Sequence, residues 1–448
     1  MMKLKPLITT LYFKDINERE KEELQVQCKR LEELYGNLVE FTEPIPVGSE
    51  LLAGTEAVVF PQLVGAAFKE KEELTKITCP IVILTSEFGT VEMWDWEIVT
   101  FLRDARLNVF SPYSVELARC IFRAIACKKE MKGGFRFLMF QDSPGEGMQA
   151  NIFKRFYWWE EECTRRLEET FGLKIIYKSY LELSKVAKKI SDEKAREVSN
   201  LWDIPVEGVS QEDYLKAVKV YIAVKRVMDK VGEVHGVGAN CLNESFNSET
   251  TPCLAWNMLY ERDGILWACE GDTLTMVSTF IFYSILRQPM MMTNIYPFLM
   301  GMAAVKHEKI DKFPEIENGD NHALGVHCGY FGLAPQSFCT SWVLRPKVLE
   351  IVNDNAIMVD CRMALGPITL AKLGSDMKRL TLIECEIVDY VQYPGSDCRN
   401  GALIHYKNDN GHQVMEALSS HHAILIQGEQ IPYMIQAARI FGFEVKKL

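Results

Sequence analysis

The stretch Gly264-Ile265-Leu266-Trp267-Ala268-Cys269-Glu270-Gly271-Asp272-Thr273-Leu274 decides how the chain is read. It joins a strand-length apolar run ending at Ala268 to a helix-length one running from Leu274 to Leu286. Ionised carboxylates are costly beside apolar surroundings unless they are paired, hydrogen-bonded or bound to a metal, so two acids at this junction need a reason. If the chain is extended here, Glu270 and Asp272 point to the same side. Gly271 between them permits a turn that other residues resist. A helix beginning after Asp272 favours negative charge at its N-terminus. Two readings stand: an N-cap aspartate with a solvated glutamate beside it, or a pair of acids in a functional site.

Working outward, the preceding residues alternate strands with helices. Strands are predicted at 7–13, 38–42, 57–60 and 81–84, with a charged amphipathic helix over 17–35 and a closing helix over 115–129. Lys132-Gly133-Gly134 reads as a linker. A second alternating unit follows: strands at 135–140 and 174–177, helices at about 150–170, 181–190 and 253–260, and a helix opened by the capping pair Ser210 and Asp213. Such alternation implies parallel sheets covered on both faces. Beyond 291 the pattern changes to strands at 341–344, 356–360, 380–388 and 402–406, separated by turns, with a last helix over 431–441. The expected fold is α/β: two doubly wound, flavodoxin- or Rossmann-like domains (1–133 and 134–290), then a mostly antiparallel, barrel-like domain (291–448).

Composition narrows the function. The 448 residues are 48% hydrophobic and 25% charged, as in a globular protein with large cores. A net charge of -11 argues against a nucleic-acid surface, which needs concentrated Lys and Arg. Thirteen cysteines with no CxxC spacing suit reduced thiols rather than a disulfide framework. The opening residues have no signal-peptide core, and the 274–286 run is too short for a bilayer, so the expected location is the cytoplasm, with no membrane partner. No GxGxxG, GxxxxGK[ST], HExxH or GxSxG motif occurs. All eight histidines lie at or after His235, which confines imidazole chemistry to the second half.

Three further places complete a candidate set. Glu244 follows a glycine-rich strand end, where ligands of open α/β sheets gather. His421 and His422 precede an apolar strand; adjacent strand residues face opposite ways, so one of them is expected to face a given pocket. His327 lies in Gly325-Val326-His327-Cys328-Gly329. Two carboxylates and an imidazole suit a hard-to-borderline cation such as Mn²⁺ or Mg²⁺, which could stabilise an enediolate while a carboxylate moves a proton between adjacent carbons.

The order Glu244, Glu270-Gly271-Asp272, His421-His422 resembles the L-fucose isomerase and L-arabinose isomerase superfamily, most closely its shorter fucose-isomerase-related proteins. Asn243-Glu244, Thr251 to Trp256, Ala268 to Asp272, Val326 to Gly329 and Ser420 to Ala423 carry the likeness. It implies an aldose–ketose isomerase acting on a monosaccharide or derivative through an enediol, with Mn²⁺ or another divalent cation such as Mg²⁺ or Co²⁺. It also implies a homo-oligomer with inter-subunit active sites. Carried over, Glu244 is a metal ligand and proton carrier, Asp272 the second ligand and catalytic partner, and His422 the imidazole ligand. Glu270 is the reserve for the second ligand; Glu270, His327 and Trp94 are expected to face the sugar. Two departures are the absence of a histidine over 278–294 and the nearness of Glu249 to Glu244. The alternatives are a sugar sensor without chemistry and a metal hydrolase.

Overall fold

The computed structural model describes residues 4–62, 65–85, 95–142, 158, 160–244, 248–297, 316–327, 334–347, 353–391 and 401–448. The chain divides into two compact units. The first comprises Met1–Gly133 with Ser284–Leu286 and Tyr433–Gly442, and the second takes the remainder.

In the first unit, β1 (Leu7–Tyr12), β2 (Glu40–Phe41), β3 (Ile45–Pro46), β4 (Thr55–Phe60), β5 (Ile81–Ile83) and β6 (Val109–Phe110) form a parallel sheet of order β2-β1-β4-β5-β6, with β3 also on β1. Its strands are apolar on both faces, and Val58, Phe60, Ile81, Ile98, Leu102 and Val109 share one core. Helices Glu18–Tyr35 and Val115–Lys132 start at Asn17 and Ser114, whose side chains accept backbone N–H groups of the first turn.

In the second unit, β7 (Arg136–Phe140), β8 (Lys174–Lys178), β9 (Gly236–Ala239) and β10 (Leu266–Ala268) form a second parallel sheet, order β10-β9-β7-β8. A Cβ on Gly238 would lie 2.6 Å from the Ala268 carbonyl oxygen, so glycine lets β9 and β10 close up beside the central turn. The helix expected over 150–170 is described only as Glu161–Phe171: Glu160 is extended (φ -70, ψ 141) and breaks the run. The 211–231 helix is capped by Ser210 as its sequence predicts.

The same unit contains a closed antiparallel barrel. Its strands are β11 (Met290–Pro297), β12 (His322–Val326), β15 (Gly366–Leu373), β16 (Arg379–Val391), β17 (Gly401–Tyr406) and β18 (His422–Gln427), and the β15–β16 pairing closes the ring. β19 (Glu444–Lys447) joins β16 in parallel outside it. Two strands expected among those of the barrel, β13 (Ser341–Pro346) and β14 (Ile357–Arg362), instead pair with each other as a separate two-stranded sheet, and Leu344 of β13 also bridges in parallel to Val206. β11 was not foreseen: Met290-Met291-Met292 carries no polar alternation, because its residues are buried on both faces. Among the described residues, no helix is long and apolar enough to cross a membrane.

Candidate functional site

The central stretch is a strand, a tight turn and a helix. After β10, Cys269–Gly271 make a single 3-10 turn, with Glu270 at φ 53 and Gly271 at φ 63. Extended backbone here would set Glu270 and Asp272 on one side; the chain turns left-handed instead at Glu270, a conformation uncommon for a residue with a Cβ. Such strain persists only where surroundings enforce it. Trp158 supplies part of that enforcement, since its Nε1–H donates to the Glu270 carbonyl at 3.0 Å. Its ring also lies against His422, centroids 4.8 Å apart.

Asp272 caps the helix Thr273–Leu286. Its Oδ1 accepts the Thr275 N–H at 2.8 Å, and its Oδ2 accepts the Thr275 hydroxyl at 2.7 Å. The same Oδ2 lies 2.7 Å from His422 Nδ1. A carboxylate can only accept, so Nδ1 carries the hydrogen. Behind this group, the Lys372 Nζ on β15 donates to Thr275 Oγ1 at 3.1 Å and stands 3.9 Å from Asp272 Oδ2. The other nitrogen of His422, Nε2, is 3.3 Å from Glu270 Oε2. The imidazole is therefore clasped between two buried carboxylates, each from one side of the turn.

The barrel brings the imidazoles to this turn. β11 lies between β18 and β12, with Asn294 opposite both His422 and Val326. His422 opens β18 and His327 follows β12, so both rings reach the same end, 6.2 Å apart. His421 sits just before the strand and escapes its alternation, so both histidines of the pair reach Glu270, contrary to the expectation of one.

Charge follows from this packing. Burial alone would raise the Glu270 carboxyl, but His422, His421 and His327 together lower it to about 2. Burial works against ionisation of Asp272 too, yet Lys372 and His422 hold it well below the usual carboxylate range. Burial disfavours charge on His422, but Glu270 and Asp272 overcome it and raise the ring to about 9. Burial lowers His327 to about 3 and His421 to about 4, leaving both rings neutral. Among the described residues, neither ring nitrogen of His327 has a hydrogen-bond partner.

The expected residues are distributed as follows. Glu270, Asp272, His422 and His327 come together. Glu244 is buried on the short helix after β9, and its Oε1 accepts the Asp142 N–H at 3.0 Å. That helix touches the central turn through Cys241 and Cys269, whose sulfurs are 3.0 Å apart. Glu249 lines a different, small pocket of about 20 Å³ with Tyr180, Lys188 and Lys216. Trp94 lies outside the described residues. Sequence reasoning missed Trp158, Lys372 and the contribution of His421. For Lys372 a signal existed: a lone cation in the apolar run Leu370-Ala371-Lys372-Leu373, which solvent exposure does not explain.

The donor set fits one divalent cation. Glu270, His421 and His422 each offer a ligand atom, all within 4.8 Å of one another. Donors on one ion stand up to about 4.2 Å apart, twice a ~2.1 Å bond, so a small adjustment completes the set. One carboxylate with two imidazoles suits a borderline cation. Asp272, expected as a ligand, has both oxygens engaged and holds the far side of the His422 ring, as carboxylates behind metal-bound histidines do. Glu270 is the carboxylate beside His422 Nε2. No family model matches the chain, and no curated protein matches it.

Proposed function

We propose that this chain is a divalent-metal-dependent aldose–ketose isomerase of the L-fucose/L-arabinose isomerase kind, acting on a monosaccharide or derivative through an enediol. The observation that carries this reading is the clasped imidazole: Glu270 and His421 beside His422 Nε2, with Asp272 fixing Nδ1. A cation bound there, Mn²⁺ foremost, would polarise the carbonyl oxygen of an open-chain sugar and lower the barrier to removing the adjacent proton. Glu244, at the carboxyl edge of the neighbouring strand β9, is the proton carrier between the two carbons. The low pKa of Glu270 suits a ligand that stays ionised and suits a proton carrier poorly. His327, neutral and without a hydrogen-bond partner among the described residues, has donor and acceptor capacity for a sugar hydroxyl. His422 gives up its Nε2 proton when a cation binds, which makes binding proton-coupled.

On the same reading the parallel sheets belong to doubly wound, flavodoxin-like domains, and the chain works in the cytoplasm as a homo-oligomer with active sites shared between subunits. The test is a panel of aldoses, ketoses and their derivatives offered to purified protein with Mn²⁺. Mass-neutral, metal-dependent interconversion that disappears in Glu244→Gln, with folding intact, is expected. Binding with no turnover of any sugar would replace the isomerase by a sugar sensor, and substrate breakdown would replace it by a hydrolase.

A further inference from the structure

Two thiols neighbour the acids of the site in sequence. Cys241 opens the short helix Cys241–Glu244, and Cys269 precedes Glu270 directly. Their sulfurs are 3.0 Å apart, both side chains are buried, and neither is in a disulfide. A disulfide bond is ~2.0 Å long, so about 1 Å of approach converts the contact into a bond. The two segments are far apart along the chain but are held side by side by the β9–β10 pairing.

We propose that Cys241 and Cys269 are a modification site: a dithiol that a peroxide closes into a disulfide, tying the Glu244 helix to the Glu270 turn and weakening cation binding. Burial excludes bulky disulfide reagents and favours a small oxidant such as hydrogen peroxide. One sulfur attacks the O–O bond as its thiolate and becomes a sulfenic acid, releasing hydroxide, which takes up the proton that the thiol lost. The second sulfur then displaces the sulfenic hydroxyl, which leaves as water with the second thiol's proton. Two thiols and one peroxide give one disulfide and two waters; two electrons pass from the sulfurs to the peroxide oxygens. A dithiol reductant reverses the step by exchange.

The consequence follows from position. Cys269 is bonded to a residue in left-handed backbone whose carbonyl is held by Trp158. Drawing its sulfur toward Cys241 moves that backbone, and with it the Glu270 carboxylate that faces His422 at 3.3 Å. The cation effect rests on the proposed metal site; the cross-link does not.

The experiment treats the full chain with hydrogen peroxide, blocks remaining thiols with iodoacetamide, and maps peptides by mass spectrometry alongside Mn²⁺ titration calorimetry. A Cys241–Cys269 linked peptide pair is expected, with Mn²⁺ affinity weakened about 10-fold or more and restored by reductant. Cys241→Ser should keep its affinity after peroxide; Cys269→Ser serves if that variant misfolds. Absence of the linked pair overturns the proposal, and a linked protein with unchanged affinity overturns its regulatory half. Reduced protein that binds no Mn²⁺ would contradict the metal-site reading instead, and the peptide map would still decide the cross-link.

Discussion

Each unit buries an aspartate beside a helix that follows a parallel strand in the sequence. In the first, Asp95 is buried in the helix Asp95–Asp104, and its Oδ2 accepts the hydroxyl of Thr85. In the second, Asp272 caps the helix beyond β10 and also accepts the hydroxyl of a nearby threonine, Thr275. Locally the two acids are alike in accepting a threonine hydroxyl close by in sequence. At Asp272 further partners arrive from a distance. Asp272 meets an imidazole 150 residues away along the chain, a lysine from the barrel, and a second acid across the ring. At Asp272 the distant cations draw a helix-capping acid into the candidate site.

The sharpest way to break this contrast is to remove the shared imidazole. His422→Leu strips two buried carboxylates of their common partner and should cost roughly 3–5 kcal/mol, read by chemical unfolding. Wild-type-like stability would mean that the carboxylates are satisfied elsewhere.

The next effect is in pH. His422 rises from 6.5 to about 9 on folding, so its contribution is full below pH 6.5 and is lost as pH climbs through 9. Glu270 falls from 4.5 to about 2, so its contribution is present above 4.5 and lost as pH drops through 2. His327 and His421 are held down to about 3 and 4, and they withdraw stability as pH falls below 6.5. Protein free of divalent cations should thus lose stability between pH 6.5 and 9, and His422→Gln should flatten that alkaline arm. An arm that survives the substitution would assign it to other groups.

Smaller effects separate brace from cap. Trp158→Phe keeps a ring beside His422 but loses the N–H to Glu270, for about 1 kcal/mol of stability. It should also weaken Mn²⁺ binding, because the left-handed turn loosens. Asp95→Asn retains an oxygen for the Thr85 hydroxyl; it should cost no more than about 1 kcal/mol and leave Mn²⁺ binding untouched. A fall in Mn²⁺ affinity in Asp95→Asn would blur the distinction between the two junctions.

Much of the scaffold was legible in the sequence. The alternation through the first 290 residues and the strand–turn–helix at 264–286 announced themselves by run length and by a capping acid. The last helix, Ile431–Phe441, matched its expected ends. The barrel was harder: β11 and β15 lack polar alternation because both faces are buried, so period-2 reasoning had nothing to detect. At the site, the acids and His422 stood out as costly residues in apolar company. The roles of Glu270 and Asp272 did not, because they depend on a left-handed turn at a residue that is not glycine. Trp158 reads in sequence as one aromatic among several. Only the fold brings its indole to the Glu270 carbonyl.

The central claim is that Glu270, with His421 and His422, holds a divalent cation while Asp272 orients the ring from behind. Mn²⁺ titration calorimetry on Glu270→Gln and Asp272→Asn, each shown to be folded, tests it directly. Binding should vanish in Glu270→Gln and weaken by ~10–100-fold in Asp272→Asn. Unchanged binding in Glu270→Gln with complete loss in Asp272→Asn would contradict it.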